Sequence, residues 1–184
     1  MRVTETAFAG VKIVEPEAFG DARGWFCEQY NAARYKAAGI LADFVQDNES
    51  LSAKGVVRGL HWQAGEHAQA KLVRVIRGAV WDVAVDIRKG SPTFGKHVSE
   101  VLTGENRKQF FIPRGFAHGF EANGKDPNQA EEFLFGLWNS RCSASGSVVA
   151  DELCRMADWL RPDGDCGKPC EDKPFGQDVQ EQQE

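Results

Sequence analysis

The residues best suited to chemistry stand in the stretch 58–63, which reads RGLHWQ. On an extended strand His61 shares one face with Gly59 and Gln63, and the glycine leaves room for a ligand beside the imidazole. A histidine inside a barrel acts either as a metal ligand or as an acid–base group near neutral pH. Because Gln63 stands where a second strand histidine would help a metal most, the pattern favours acid–base chemistry. A structural histidine with satisfied hydrogen bonds is the alternative.

Two more stretches supply polar groups of the right kind. Lys71 opens another run of alternating residues and could stabilise an enolate oxygen or bind phosphate, although an isolated lysine is more often a solvated charge at a sheet edge. His118 lies in the stretch 112–120, IPRGFAHGF, where glycine and proline predict a compact turn that presents the histidine. That turn could equally be a structural corner.

Short strands are the elements that must position these groups. Between residues 79 and 87, Trp81, Val83, Val85 and Ile87 fall on one face, which is the period of a strand. Further strands are predicted at Val56–Gln63, Lys71–Arg77, His97–Leu102, Lys108–Ile112 and Glu131–Trp138. Strands at intervals of roughly ten residues, separated by glycine and proline, predict an all-β sandwich or barrel. Two short helices are predicted, at Tyr30–Ala42, which Gly39 shortens, and at Asp151–Leu160.

The composition predicts one globular domain over residues 1–184. The chain has 184 residues, of which 42% are hydrophobic and 27% charged, outside the ranges of disordered and membrane proteins. No apolar run approaches the ~18 residues of a membrane span, and the N-terminus lacks a signal pattern, so a cytoplasmic location without a membrane partner is expected. After residue 161 few core-forming residues remain, which predicts a loosely packed or disordered tail.

The charges divide unevenly along the chain. Residues 1–120 contain 16 Lys and Arg against 13 Asp and Glu, a net +3, whereas residues 121–184 contain 6 against 14, a net −8. This balance suits an anionic small ligand and argues against a nucleic-acid partner. The chain has 5 cysteines, an odd number, and their spacing at Cys142, Cys154, Cys166 and Cys170 does not match the short pairs of zinc knuckles. Neither a disulfide framework nor a metal site is expected.

Several long motifs together resemble one enzyme family. The stretches RGLHWQ, AQAKLVRVIRGAVWDVAVDIRKGSPTFGKHV and NRKQFFIPRGFAHGF, with Glu15-Pro16 and the stretches 19–28 and 44–48 upstream, resemble the dTDP-4-dehydrorhamnose 3,5-epimerase family over about residues 3–120. The resemblance implies an all-β, cupin-type jelly-roll barrel with short peripheral helices. It also implies a homodimer that uses no metal and no organic cofactor.

The resemblance further implies a reaction and its residues. The substrate would be a dTDP-4-keto-6-deoxyhexose, dTDP-4-dehydro-6-deoxy-glucose, epimerised at C3 and C5 beside the 4-keto group to give dTDP-4-dehydro-rhamnose for dTDP-rhamnose biosynthesis. By resemblance His61 is the base and Lys71 lies near the enolate oxygen. The positions that match substrate-binding residues of the family are Arg23, Glu28, Gln46, Asn48, Arg58 and His118.

Residues 121–184 depart from the family pattern. Phe135 stands where the family has a tyrosine that donates a proton, and Asp172 is a candidate for the carboxylate partner of His61. A divergent C-terminal third and a shift of reading frame near residue 121 would both give this change.

The missing tyrosine leaves other functions open. The first is the same barrel with altered chemistry, either epimerisation of a single carbon or ketoisomerisation. The second is a nucleotide-sugar-binding module with impaired turnover. The third is a metal-dependent cupin that uses His61, His67 and His118.

Overall fold

Thirteen strands and one short α-helix make up the described part of the protein. A computed structural model of the chain describes residues 1–122, 131–138 and 146–147. In chain order the elements are β1 Arg2–Glu5, β2 Lys12–Glu15, β3 Ala18–Asp21, β4 Gly24–Cys27, α1 Ala32–Ala37, β5 Gln46–Ser52, β6 Val57–Trp62, a 3₁₀ turn Gly65–His67, β7 Lys71–Val75, β8 Ala79–Asp86, β9 His97–Thr103, β10 Gln109–Ile112, β11 Phe116–Ala122, β12 Glu131–Trp138 and β13 Gly146–Ser147. The helix predicted at Asp151–Leu160 and the tail after residue 161 lie outside these ranges.

Two antiparallel sheets form the body of the fold. The first sheet has the strand order β1-β2-β10-β7-β12-β5, the second has the order β13-β6-β11-β8-β9, and β3 pairs with β4 in a separate hairpin. Neighbours in both sheets are distant in sequence, as in a jelly roll. The predicted all-β class with short peripheral helices is therefore confirmed.

The inward faces of the two sheets share one apolar core. Val73 and Val75 of the first sheet belong to the same buried cluster as Val80, Phe116 and Phe120 of the second. Each such side chain stabilises the fold by roughly 1.5–3 kcal/mol when it leaves water. Residues that alternate with these, such as those at positions 72 and 117, belong to separate clusters on the outer faces.

The predicted helix at 30–42 is confirmed in a shorter form, because α1 ends at Ala37. The Asn31 side chain caps its start by accepting a hydrogen bond from the Arg34 backbone N–H, at 3.2 Å. Gly39 follows its end with φ +77°, the left-handed conformation that glycine adopts without strain. The helix places Tyr35 against the outer face of the first sheet, within the cluster that contains Phe111.

The prediction that 112–120 is a compact turn is wrong for most of that stretch. Phe116–Ala122 is a strand that lies between β6 and β8 in the middle of the second sheet. Phe116, His118 and Phe120 point inward, and small residues alternate with them. The small residues obscured the strand pattern in the sequence, although the period of two is present.

Two glycines set the spacing of β6 and β11. A Cβ atom on Gly59 would clash with the Cα of Gly119 and would lie 2.9 Å from the His118 carbonyl oxygen. The register pairs His61 with His118 and Arg58 with Phe120, so β6 uses one residue more than β11 over this interval. This bulge places Arg58 and His61 on the same inward face. In a regular strand, positions 58 and 61 lie on opposite faces, so the period of two alone predicts the wrong face for Arg58 and the bulge is the reason.

The close approach predicts a large cost for any side chain at Gly59. Gly59→Ala should lower the free energy of unfolding by about 2–4 kcal/mol, because the methyl group meets backbone atoms that cannot move independently. Gly55→Ala is the matched control, since Gly55 also has a positive φ, +79°, but no atom within 4 Å of the added Cβ. The control should cost about 1 kcal/mol. Equal losses in urea unfolding of the two variants would contradict the close approach.

Candidate active site

Polar side chains from both sheets meet inside the barrel. His61 of β6 and His118 of β11 are direct cross-strand partners, so their side chains share the inward face of the second sheet. Lys71 comes from the first sheet, on the same face of β7 as the core residues Val73 and Val75. Its Nζ donates a hydrogen bond to the carbonyl oxygen of His61 at 3.3 Å. The fold therefore brings together the two residues expected to be catalytic.

His61 is in the state that a base requires. Partial burial lowers its pKa first, and electrostatic interactions with Lys71, His118 and Arg58 lower that pKa further. A lowered pKa leaves the imidazole neutral at physiological pH, with a nitrogen lone pair to accept a proton. The side chain is also exposed at the barrel wall, where a ligand can reach it.

Lys71 is a buried ammonium group close to that base. Its side chain is only 5% exposed, and burial lowers its pKa from 10.5 to about 8, opposed by the charge of Asp82. At neutral pH the group is still protonated, and its charge is poorly shielded by water. A positive charge in this place stabilises an oxyanion that forms beside His61.

His118 is held by a carboxylate. Its Nε2 lies 2.9 and 3.0 Å from the two carboxylate oxygens of Asp82, and both residues are buried. The pKa of Asp82 is raised overall, because burial raises it more than the contact with His118 lowers it. The sequence motifs single out His118, but they give no role to Asp82, which lies within the longest of the family-like stretches. The one available signal was the row 80, 82, 84, 86 of β8, in which Asp82 and Asp86 alternate with Val80 and Ala84.

Arg58 completes the inward group and connects the two sheets. Its Nε donates a hydrogen bond to the Ser52 hydroxyl at the end of β5, at 3.0 Å. The guanidinium is otherwise exposed, and its planar donors suit phosphate or diphosphate oxygens. The barrel thus offers a neutral base, an ammonium group and a guanidinium to an anionic ligand.

The other predicted binding residues lie elsewhere in the chain. Arg23 is at the exposed turn of the β3–β4 hairpin in an ion pair with Asp21, and Glu28 forms an ion pair with Arg34, at 3.1 Å. No contact among the described residues links these two to His61. Gln46 and Asn48 lie on β5, where the Gln46 amide donates to the Asn48 side-chain oxygen at 3.2 Å. Their roles in binding stay predictions.

Phe135 and Asp172 are the two candidate positions beyond residue 122. The backbone of Phe135 lies in β12, paired with Asn48 of β5, and β12 is also the neighbour of β7. Asp172 lies outside the described residues. The roles considered for these two positions therefore also stay predictions.

The described residues contain neither a cluster of metal ligands nor a membrane-spanning helix. His67 lies on the 3₁₀ turn and contacts Glu66 at 3.6 Å. Within residues 1–122, no three His, Cys, Asp or Glu side chains form a group that could hold a metal ion. No helix in the described part of the chain is long and apolar enough to cross a bilayer.

The sequence and the fold both match known proteins. The family model described as dTDP-4-dehydrorhamnose 3,5-epimerase matches residues 5–131. The chain belongs to this family. The dTDP-4-dehydrorhamnose 3,5-epimerase of Pseudomonas aeruginosa is 54% identical over 176 residues, 95% of this chain and 90% of that protein. The enzyme of the same name from Salmonella typhimurium is 47% identical over 161 residues, 86% of each chain.

A solved structure agrees with the family assignment. The dTDP-6-deoxy-D-glucose-3,5-epimerase of Legionella pneumophila, in complex with dTDP-4-keto-L-rhamnose, superimposes with a TM-score of 0.74 at 45% identity, covering 81% of this chain and 78% of that one. The expected family, its cupin-type jelly roll and its isomerase class are confirmed. The epimerase-family alignments of 161 and 176 residues also extend beyond residue 122, so similarity continues into the C-terminal third.

The burial of Lys71 predicts a pH dependence of stability. Its pKa is about 8 in the folded protein and 10.5 when unfolded, so between these pH values only the unfolded chain binds the proton. The free energy of unfolding should therefore rise with pH relative to Lys71→Met, by at most about 3 kcal/mol between pH 7 and 10.5. Lys89→Met, at an exposed lysine, controls for the loss of a positive charge. If urea unfolding gave the same difference in free energy of unfolding between the wild type and Lys71→Met at every pH in this range, the burial of Lys71 would be contradicted.

Proposed function

We propose that this chain epimerises C3 and C5 of dTDP-4-dehydro-6-deoxy-glucose, giving dTDP-4-dehydro-rhamnose for dTDP-rhamnose biosynthesis. The observation that carries the proposal is the pair formed by His61, whose pKa is lowered, and the buried Lys71, whose Nζ lies 3.3 Å from the His61 carbonyl oxygen. The family's name and the dTDP-sugar held by the Legionella pneumophila relative support this substrate class.

The chemistry follows from the ketone. Protons on C3 and C5 are acidic because each carbon is adjacent to the 4-keto group, and removal of either proton leaves an enolate. His61 accepts the proton through its ring nitrogen, and the electron pair of the C–H bond moves to the carbonyl oxygen, which Lys71 stabilises. A proton returned to the opposite face of the carbon inverts its configuration and restores the ketone. No net oxidation occurs.

Charge recognition positions the nucleotide part of the substrate. Arg58, with its planar donors, is suited to the diphosphate, and His118 lies beside it on the inward wall. These contacts are ionic, so binding of dTDP should weaken as salt rises. Arg23, Glu28, Gln46 and Asn48 belong to the same proposal by resemblance.

The comparisons do not favour the alternative of an impaired or single-carbon enzyme. Phe135 is the residue that motivates it, since phenylalanine has no proton to donate where the family has a tyrosine. The alternative and the proposal differ in one observable, because loss of the second proton donor would allow exchange of substrate protons without inversion. The metal-dependent rival would instead require bound metal in the purified protein.

His61 provides the direct test of the mechanism. His61→Asn should reduce incorporation of solvent deuterium at both C3 and C5 by at least about 10²-fold, because general-base catalysis commonly contributes that much. His67→Asn is the matched control, a histidine on the 3₁₀ turn beside Glu66. It should exchange at the wild-type rate. Exchange by His61→Asn at the wild-type rate would remove His61 from the mechanism, and absence of exchange in the wild-type protein would overturn the proposed function.

We further propose that the chain forms a homodimer through the β3–β4 hairpin. Phe19, Trp25 and Phe26 are 62%, 58% and 71% exposed on this hairpin, an unusual concentration of aromatic surface. Arg107 stacks on the Trp25 ring at 4.4 Å, which holds the hairpin against the β9–β10 turn. Aromatic residues and arginine are enriched in protein interfaces.

The dimer is tested by sedimentation. Phe26→Ser should shift the protein towards the monomer, because it removes one of the exposed rings from the proposed contact. Val101→Ser, at another exposed apolar residue on β9, is the control and should leave the mass unchanged. A wild-type protein that sediments as a monomer at micromolar concentration would contradict the dimer.

Three expectations from the sequence keep the status of predictions. They are the cytoplasmic location, the single domain over residues 1–184, and the independence of the reaction from metals and organic cofactors. Fractionation of cells, limited proteolysis and metal analysis of the purified protein test them in that order.

A further inference from the structure

Asp82 is a carboxylate in the interior of the barrel. It lies in the middle of β8, has no exposed surface, and shares the inward face of that strand with the core residues Val80 and Ala84. Burial raises its pKa, because a carboxylate loses hydration there. A buried carboxylate destabilises the fold unless its partners offset the lost hydration. The role of Asp82 therefore depends on the groups with which it interacts.

The first partner is His118. Both oxygens of Asp82 lie within hydrogen-bond distance of His118 Nε2, at 2.9 and 3.0 Å. When the Asp82 carboxylate is ionised it only accepts hydrogen bonds, and this contact then requires the proton on Nε2. In the neutral ring, Nδ1 is then the nitrogen that carries the lone pair. Asp82 thus fixes both the orientation and the tautomer of a residue directly opposite His61.

The second partner is Lys71, which comes from the other sheet. The groups that couple electrostatically to Lys71 or to its neighbour His61 are His61 itself and Arg58 of β6, His118 of β11 and Asp82 of β8. Of these four side chains, Asp82 alone is an acid, and its charge favours the protonated form of the lysine. The same carboxylate therefore acts on one group from each sheet.

We propose that Asp82 is a positioning residue of the active site: its buried carboxylate holds His118 in the Nε2–H tautomer and serves as the counter-ion of the Lys71 ammonium group. The proposal rests on the epimerase function proposed above. The reaction places negative charge on the carbonyl oxygen, so Lys71 must be protonated when the enolate forms. Asp82 has no need to touch the substrate, because it acts through its two partners.

A second buried aspartate on the same strand provides a matched control. Asp86 is also without exposed surface, and it accepts hydrogen bonds from Arg88 at 2.7 Å and from the Ser91 and Thr93 hydroxyls at 2.6 Å. This network closes the β8–β9 turn, and none of its described hydrogen bonds involves His61, Lys71 or His118. Asp86→Asn therefore removes a buried charge of structural importance and leaves the site alone.

The pH profile of turnover separates the two aspartates. Removing the Asp82 charge lowers the pKa of Lys71 below its value of about 8, so in Asp82→Asn the alkaline limb of kcat should move to lower pH. We expect a shift of about one pH unit or more and a loss of kcat of at least about tenfold at pH 8. Asp86→Asn should melt at a lower temperature than the wild-type protein, and the alkaline limb of its kcat profile should stay at the wild-type pH. An unmoved limb in a folded Asp82→Asn protein would overturn the proposal.

Histidine ¹⁵N spectra give a readout that does not depend on turnover. In the wild-type protein the His118 resonances, assigned with His118→Gln, should report the Nε2–H tautomer, and in Asp82→Asn they should report a mixture or the Nδ1–H form. A wild-type Nδ1–H tautomer would overturn the proposal even if Asp82→Asn does not fold. If the wild-type enzyme does not turn over the sugar, the proposed function fails, while the tautomer still decides the role of Asp82.

Discussion

The close approach of β6 and β11 at Gly59 and Gly119 is the constraint on which the site depends. Without side chains at these positions the two backbones can come into contact, and the bulge that follows changes the register by one residue. As a result Arg58 and His61 both face the interior, opposite Phe120 and His118. A regular ladder would have sent Arg58 to the outer face, away from any ligand in the barrel. The base and the guanidinium therefore share one wall because of a backbone contact.

A second consequence of the fold is electrostatic. Lys71, Asp82 and His118 are buried between the two sheets, so their charges influence one another more strongly than they would at a surface. Burial and neighbouring cations lower the pKa of His61, and burial lowers that of Lys71. Each shift suits the proposed chemistry, since the first makes a neutral base and the second makes a weakly solvated acid. Lys71 and His61 come from opposite sheets, so neither sheet alone could create this environment.

The sequence predicted what depends on local pattern. Alternation identified β8, turn residues between short segments separated β6, β7, β9 and β10, and Gly59 on the face of His61 indicated a strand that admits a ligand. It did not predict β11, because small residues hid the period, nor the inward position of Arg58, because a bulge depends on pairing with a distant strand. Asp82 was overlooked for a related reason. Its role depends on His118, which lies three strand connections later in the chain and becomes its neighbour only in the sheet.

A crystal structure of the protein with a bound dTDP-4-keto sugar analogue would test this account most directly. The account predicts the sugar ring inside the barrel, with a ring nitrogen of His61 facing C3 or C5, Lys71 Nζ within hydrogen-bond distance of the oxygen on C4, and Arg58 on the diphosphate from the same wall as His61. A ligand bound outside the barrel, or Arg58 and His61 on opposite faces of β6, would contradict it.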